Sequence, residues 1–104
     1  MFGIFGSGQR RFGGDGHNSL SDGSVHHLAL YKSDGCGYCR MVYRAVDQHD
    51  VQVEYRDLSD STHRQELFST TGRRTVPCLF VDGDPMFESV DIIRWLEGTF
   101  GRLV

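Results

Sequence analysis

The chain has 104 residues, about one domain's worth, and its 38% hydrophobic and 24% charged residues are those of a folded globular protein rather than a disordered or membrane-spanning one. With Lys+Arg 11 against Asp+Glu 14 the formal net charge is -3, so no global basic field draws it to nucleic acid or anionic lipid. No run approaches the roughly 18 apolar residues of a membrane span, no secretory signal opens the chain, and Cys 3 is too few for a disulfide scaffold; a cytoplasmic protein is expected.

Residues 1 to 24 hold seven glycines and neither helical nor strand periodicity, which predicts a flexible Gly-rich leader ahead of a folded domain at 25–104. Gly6-Ser7-Gly8-Gln9-Arg10-Arg11 lacks both the preceding strand and the Gly-Lys-Ser/Thr ending of a phosphate loop. Leu28-Ala29-Leu30-Tyr31, closed by Ser33-Asp34-Gly35, predicts a buried strand and a turn. Cys39, Val42, Tyr43 and Val46 then recur at helical spacing on one face. Val51, Val53 and Tyr55 alternate with polar residues, as an edge strand would. A short helix is expected from about 60 to 71, ended by Gly72.

Thr75-Val76-Pro77-Cys78-Leu79-Phe80-Val81 is apolar enough for a central strand, yet Pro77 cannot donate to a ladder, and the conflict marks a special site. Asp82-Gly83-Asp84 predicts a hairpin turn into a strand at Met86-Phe87. Ser89 can cap a last helix with Ile92, Ile93, Leu96 and Phe100 on its apolar face. The order strand, helix, strand, helix, strand, strand, helix contains a parallel βαβ unit and a later antiparallel hairpin.

The chemistry concentrates in Cys36-Gly37-Tyr38-Cys39. A thiolate, not a thiol, performs disulfide exchange, so a redox cysteine needs surroundings that favour the anion. Cys36 falls where a glycine turn meets a helix, at unpaired N–H groups and the positive end of the helix dipole. Cys39 lies one turn further in, and Cα atoms about 5 Å apart allow the two to close a disulfide with little movement. A single Cys-x-x-Cys cannot fill a zinc site without help from His26 or His27, and no metal is expected. Cys78 reads as a core residue.

Leu30-Tyr31, Cys36-Gly37-Tyr38-Cys39-Arg40 and, further on, Thr71-Gly72-Arg73-Arg74-Thr75-Val76-Pro77 together resemble the glutaredoxins over residues 27 to 100. The resemblance implies an α/β thioredoxin fold with a four-stranded mixed sheet flanked by helices, a cis Pro77 against the cysteines, and glutathione as co-substrate. It implies Cys36 as nucleophile and Cys39 as resolving thiol. It places Tyr38 beside the site, Val76 against the cysteinyl part of glutathione with Thr75 next to it, Arg64 near the glycine carboxylate, and Ser89 at the γ-glutamyl carboxylate. Glu88-Ser89 is also similar to the Glu-Ser pair of glutathione-transferase N-terminal domains. Two departures stand out: Gly37 occupies the family's usual proline, and Ser33 its lysine, with Lys32 one position earlier. The activity implied is glutathione-dependent reduction of protein disulfides or glutathionylated proteins by a monomer. The alternative is a [2Fe–2S] carrier, in which Cys36 from two subunits and two glutathiones supply the four thiolates.

Overall fold

The computed structural model describes residues 14–101. The Gly6–Arg11 cluster lies outside them. In chain order the described elements are β1 (His17–Ser19), β2 (Val25–Lys32), α1 (Gly37–Gln48), β3 (Glu54–Asp57), α2 (Ser61–Thr71), β4 (Cys78–Val81), β5 (Asp84–Met86) and α3 (Ser89–Phe100). From residue 25 this is the order the periodicities imply. None of these helices is long and apolar enough to cross a membrane.

The β2–β3 pair is parallel, while β4 runs antiparallel to both β2 and β5. Leu28 and Leu30 face α1 and α3, packing with Val42, Ala45, Val46, Leu79, Ile92 and Leu96. Tyr31 faces the other way, with Leu67 of α2, Cys78, Val76, Phe80 and Phe87. Because β2 is covered on both faces, it reads as a continuous apolar run rather than an alternating one. The hairpin closes through Asp82 at φ 52 and Gly83 at φ 91, with Val81 opposite Asp84, a two-residue turn matched to the twist of its strands.

Four differences from the sequence expectations have physical causes. The sheet has five strands, because His17–Ser19, inside the supposed leader, pairs antiparallel with the start of β2. Side-chain bonding secures that strand: Asn18 Nδ2 donates to the Gln52 carbonyl at 2.8 Å, and the Gln52 N–H donates to Asn18 Oδ1 at 2.8 Å. The second parallel strand begins at Glu54, since Val51 N–H bonds back to the Val46 carbonyl and Asn18 occupies Gln52; Val51 and Val53 are buried all the same. The run from Thr75 pairs only from Cys78, after a cis Val76–Pro77 bond. Finally, Ser89 is the first residue of α3 rather than its cap. Glu88 holds the cap position at φ 71, with no side-chain cap hydrogen bond, and Ser89 is buried.

Candidate functional site

The site is built where β2 ends. Its last residues, Tyr31 and Lys32, lead into the Ser33–Gly35 turn, and Gly35 at φ 81 takes a left-handed conformation that suits a residue without Cβ. The Cys36 N–H bonds to the Ser33 carbonyl at 3.3 Å, closing the turn. Cys36 is the N-cap of α1: its Sγ accepts from the Cys39 N–H at 3.1 Å, as a capping serine oxygen would. A sulfur in that position faces the unpaired N–H groups and the positive end of the helix dipole.

The other two cysteines are held as thiols. Cys39 is fully buried, and burial, reinforced by its hydrogen bond with the Cys36 side chain, pushes its pKa up to about 12. Burial likewise raises Cys78 to about 11. Cys36 is half-buried, and all three are unbridged. One sulfur is thus accessible and helix-capped while its neighbour one turn on is sheltered, an arrangement suited to attack by Cys36 followed by internal displacement by Cys39.

Leu58 connects the remaining parts. Its N–H bonds to the Lys32 carbonyl at 2.9 Å, at the root of the cysteine turn. Its carbonyl accepts from Arg64 Nη1 at 2.7 Å, and its side chain, like those of Val76 and Phe87, packs against the Tyr31, Leu67 and Cys78 cluster. The register Tyr31↔Cys78 puts Pro77 one step further along, beside Lys32. The fold therefore gathers Thr75-Val76-Pro77, Glu88-Ser89 after Phe87, and the base of Arg64 around the end of β2. Thr75 is exposed, Val76 half-buried and Pro77 buried. Tyr38, 66% exposed on the first turn of α1, stands at the rim. Arg64 also lines a groove of about 460 Å³ along α2 with Phe68 and Arg74, and neither Cys36 nor Cys39 lines it. Arg74 lies 4.6 Å from the Phe68 ring, and Arg73 lies 4.0 Å from the ring of Phe87.

Reading the sequence alone misses what lies beneath the turn. The Lys32 side chain is 6% exposed and its Nζ meets Asp57 Oδ2 at 2.6 Å and Asp34 Oδ1 at 3.1 Å. Lys32 pairs with Asp57 across the parallel ladder, so opposite charges at two strand ends carried the signal, legible only once the register was known. His26 and His27 stand at the other end of β2. His26 Nδ1 meets Asp82 Oδ2 at 2.7 Å and His27 Nε2 lies 3.6 Å from Glu54 Oε1. No group of three or more His, Cys, Asp or Glu side chains among the described residues could hold a metal ion.

Residues 28–86 match the family model described as Glutaredoxin. The chain is 31% identical over 86 residues to Glutaredoxin-C4 of Arabidopsis thaliana, an alignment covering 78% of this chain and 64% of that protein. It is 32% identical over 62 residues to mitochondrial Glutaredoxin-2 of Rattus norvegicus, covering 54% of this chain and 38% of that one. The chain thus spans under two thirds of the length of these relatives. Among solved structures, a thioredoxin-like protein superposes with a TM-score of 0.60 at 20% identity, covering 66% of this chain and 96% of that one. A glutathione S-transferase of Drosophila melanogaster superposes with a TM-score of 0.62 at 24% identity, covering 72% of this chain and 35% of that one. These two show a shared thioredoxin-like fold.

Proposed function

The chain belongs to the glutaredoxin family, and from that premise we propose that it is a glutathione-dependent thiol–disulfide oxidoreductase acting on protein disulfides or protein–glutathione mixed disulfides. The observation that carries the reading is the pairing of Cys36, half-buried at the cap of α1, with Cys39, fully buried one turn on and held as a thiol.

In the proposed reaction Cys36 thiolate attacks a disulfide, forming a bond to one sulfur and releasing the other as thiolate. Then either glutathione displaces the bound thiol, or Cys39 does, leaving a Cys36–Cys39 disulfide for glutathione to reduce. Extended glutathione would run its middle peptide along Val76, beside the cis proline, with its glycine carboxylate toward Arg64 and its γ-glutamyl carboxylate at the start of α3. The geometry at that helix supports the last contact: the first intrahelical bond runs from Ile92 N–H to the Glu88 carbonyl, and the Glu88 side chain makes no cap hydrogen bond to the N–H groups before it. A non-glycine residue at φ 71 costs about 1–3 kcal/mol, and such outliers cluster at ligand clamps. Glu88 fits that description beside Ser89.

The test is a glutathione-coupled disulfide reduction assay on the purified protein, with a visible absorption spectrum of the same sample. Turnover that vanishes in Cys36→Ser supports the reading. An inactive, brown protein with a cluster spectrum would favour the [2Fe–2S] carrier.

A further inference from the structure

Helix α2 buries Leu67 against the sheet and turns the next residue, Phe68, outward at 47% exposure. Phe68 lines the groove of about 460 Å³ with Ser61, Arg64, Gln65, Ser69 and Arg74, so the charged residues of the lining are both arginines. Arg74 lies over the Phe68 ring, and its neighbour Arg73 lies over the ring of Phe87. Arg64, Arg73 and Arg74 are exposed, and among the described residues none of them is paired with a carboxylate. The acid of α2, Glu66, reaches the sheet instead, where it accepts from the Tyr31 hydroxyl at 3.3 Å, and the cap Asp60 accepts from the Thr62 N–H. A chain of net charge -3 thus carries a local surplus of positive charge beside an exposed aromatic ring. That surface adjoins the cysteine site. Arg74 immediately precedes Thr75-Val76-Pro77, and Arg64 bonds the carbonyl of Leu58, the residue whose N–H holds Lys32 at the root of the cysteine turn.

We propose that this groove docks the protein substrate: it takes an extended acidic segment flanking the target cysteine, with carboxylates on Arg74 and Arg73 and one apolar side chain against Phe68. Charge complementarity selects that occupant. A basic segment would meet unpaired guanidiniums of its own sign, and a neutral one would leave them without counter-charge. A guanidinium lying over a ring keeps its N–H edge free for a carboxylate, which it grips through two parallel bonds. Arginine and aromatic residues are also the side chains on which interface energy concentrates. Gln65, between Arg64 and Phe68 in the lining, offers an amide that can both donate to and accept from a peptide backbone. Arg64 stands at the edge shared with the glycine carboxylate of glutathione, so docking is assigned to Phe68, Arg73 and Arg74. The groove supplies binding and leaves the chemistry at Cys36 unchanged, so its effect falls on KM rather than on kcat. The docking surface presupposes the oxidoreductase reading proposed above and adds its substrate class.

The experiment measures kcat/KM of the full chain, in a glutathione-coupled assay, on three glutathionylated peptides that share a cysteine and a leucine and differ in an Asp-rich, Ser-rich or Lys-rich flank. At low salt the Asp-rich peptide should lead the Ser-rich one by about tenfold, through KM, and the Lys-rich one should trail both; about 0.5 M NaCl should shrink the lead to about twofold. Arg74→Gln should cut the lead by about three- to fivefold, and Arg74→Glu should abolish it and raise the Lys-rich peptide above its wild-type rate. Phe68→Ser should slow the Asp-rich and Ser-rich peptides alike by about threefold, since both carry the leucine. All three variants should reduce the mixed disulfide of glutathione with 2-mercaptoethanol within about twofold of wild type. Equal rates on the three peptides, an Asp preference that survives in Arg74→Glu, or Phe68→Ser at the wild-type rate overturns the docking surface and leaves the oxidoreductase reading intact. A loss of the same size on the small disulfide overturns it too, because the groove then serves the tripeptide rather than the protein partner. A wild type that turns over none of the four substrates removes both readings.

Discussion

Asp57→Asn tests whether the ion pair under the cysteine turn holds the fold. The hydrogen bond from Lys32, helped by the Ser59 N–H, lowers the Asp57 carboxyl from 3.8 to about 2. That difference corresponds to about 2.5 kcal/mol of stability at neutral pH. With the carboxylate 30% exposed, solvent screening reduces it to about 1–2 kcal/mol. Because the folded value is the lower one, this stability is fully present above about pH 4 and drains away as pH falls from about 4 to 2. Urea unfolding followed by circular dichroism at pH 7, 4 and 2.5 should therefore show wild type ahead of Asp57→Asn at pH 7, with the gap closing toward pH 2.5. A gap that stays constant over that range would refute the reasoning, since the loss would then come from packing rather than from the carboxylate's charge.

Three further outcomes are expected. Cys36→Ser should abolish glutathione-coupled turnover, while Cys39→Ser should keep much of the activity on glutathione mixed disulfides, because glutathione can resolve the adduct itself; the opposite pattern in a steady-state assay would exchange the two roles. Arg64→Glu should raise the KM for a glutathionylated peptide by about tenfold or more, a lost charge-assisted contact being worth about 1.5–3 kcal/mol, and an unchanged KM would move the tripeptide elsewhere. Because Arg64 also bonds the Leu58 carbonyl, its melting curve should be recorded beside the kinetics. Asn18→Ala should lower the melting temperature by roughly 10 °C, since two part-buried backbone groups of Gln52 lose their partners, and a change under 2 °C would show that β1 is held by its ladder alone.

What the sequence determined by itself is whatever depends on neighbours along the chain. Leu28–Tyr31 reads as a buried strand, the spacing of Cys39, Val42 and Val46 as a helix face, Gly72 as a helix stop and Asp82-Gly83 as a hairpin, because periodicity and left-handed turns are local physics. The same holds for Cys36 at a helix start and for Pro77 as an anomaly in an apolar run. Contacts across the sheet belong to the tertiary structure. Asn18 lies in a glycine-rich stretch with no periodicity, and only the arrival of Gln52 beside it turns three residues into a strand. Ser89 has the composition of a cap, yet the chain enters α3 through Glu88 at φ 71 and buries Ser89 instead. In the sequence Lys32 is only a lysine one position before the family's, and its partner appears when the parallel register sets Asp57 opposite it. Hydrogen bonds and ion pairs between distant segments depend on where the chain returns in space, and for this chain β2 is the strand to which it keeps returning.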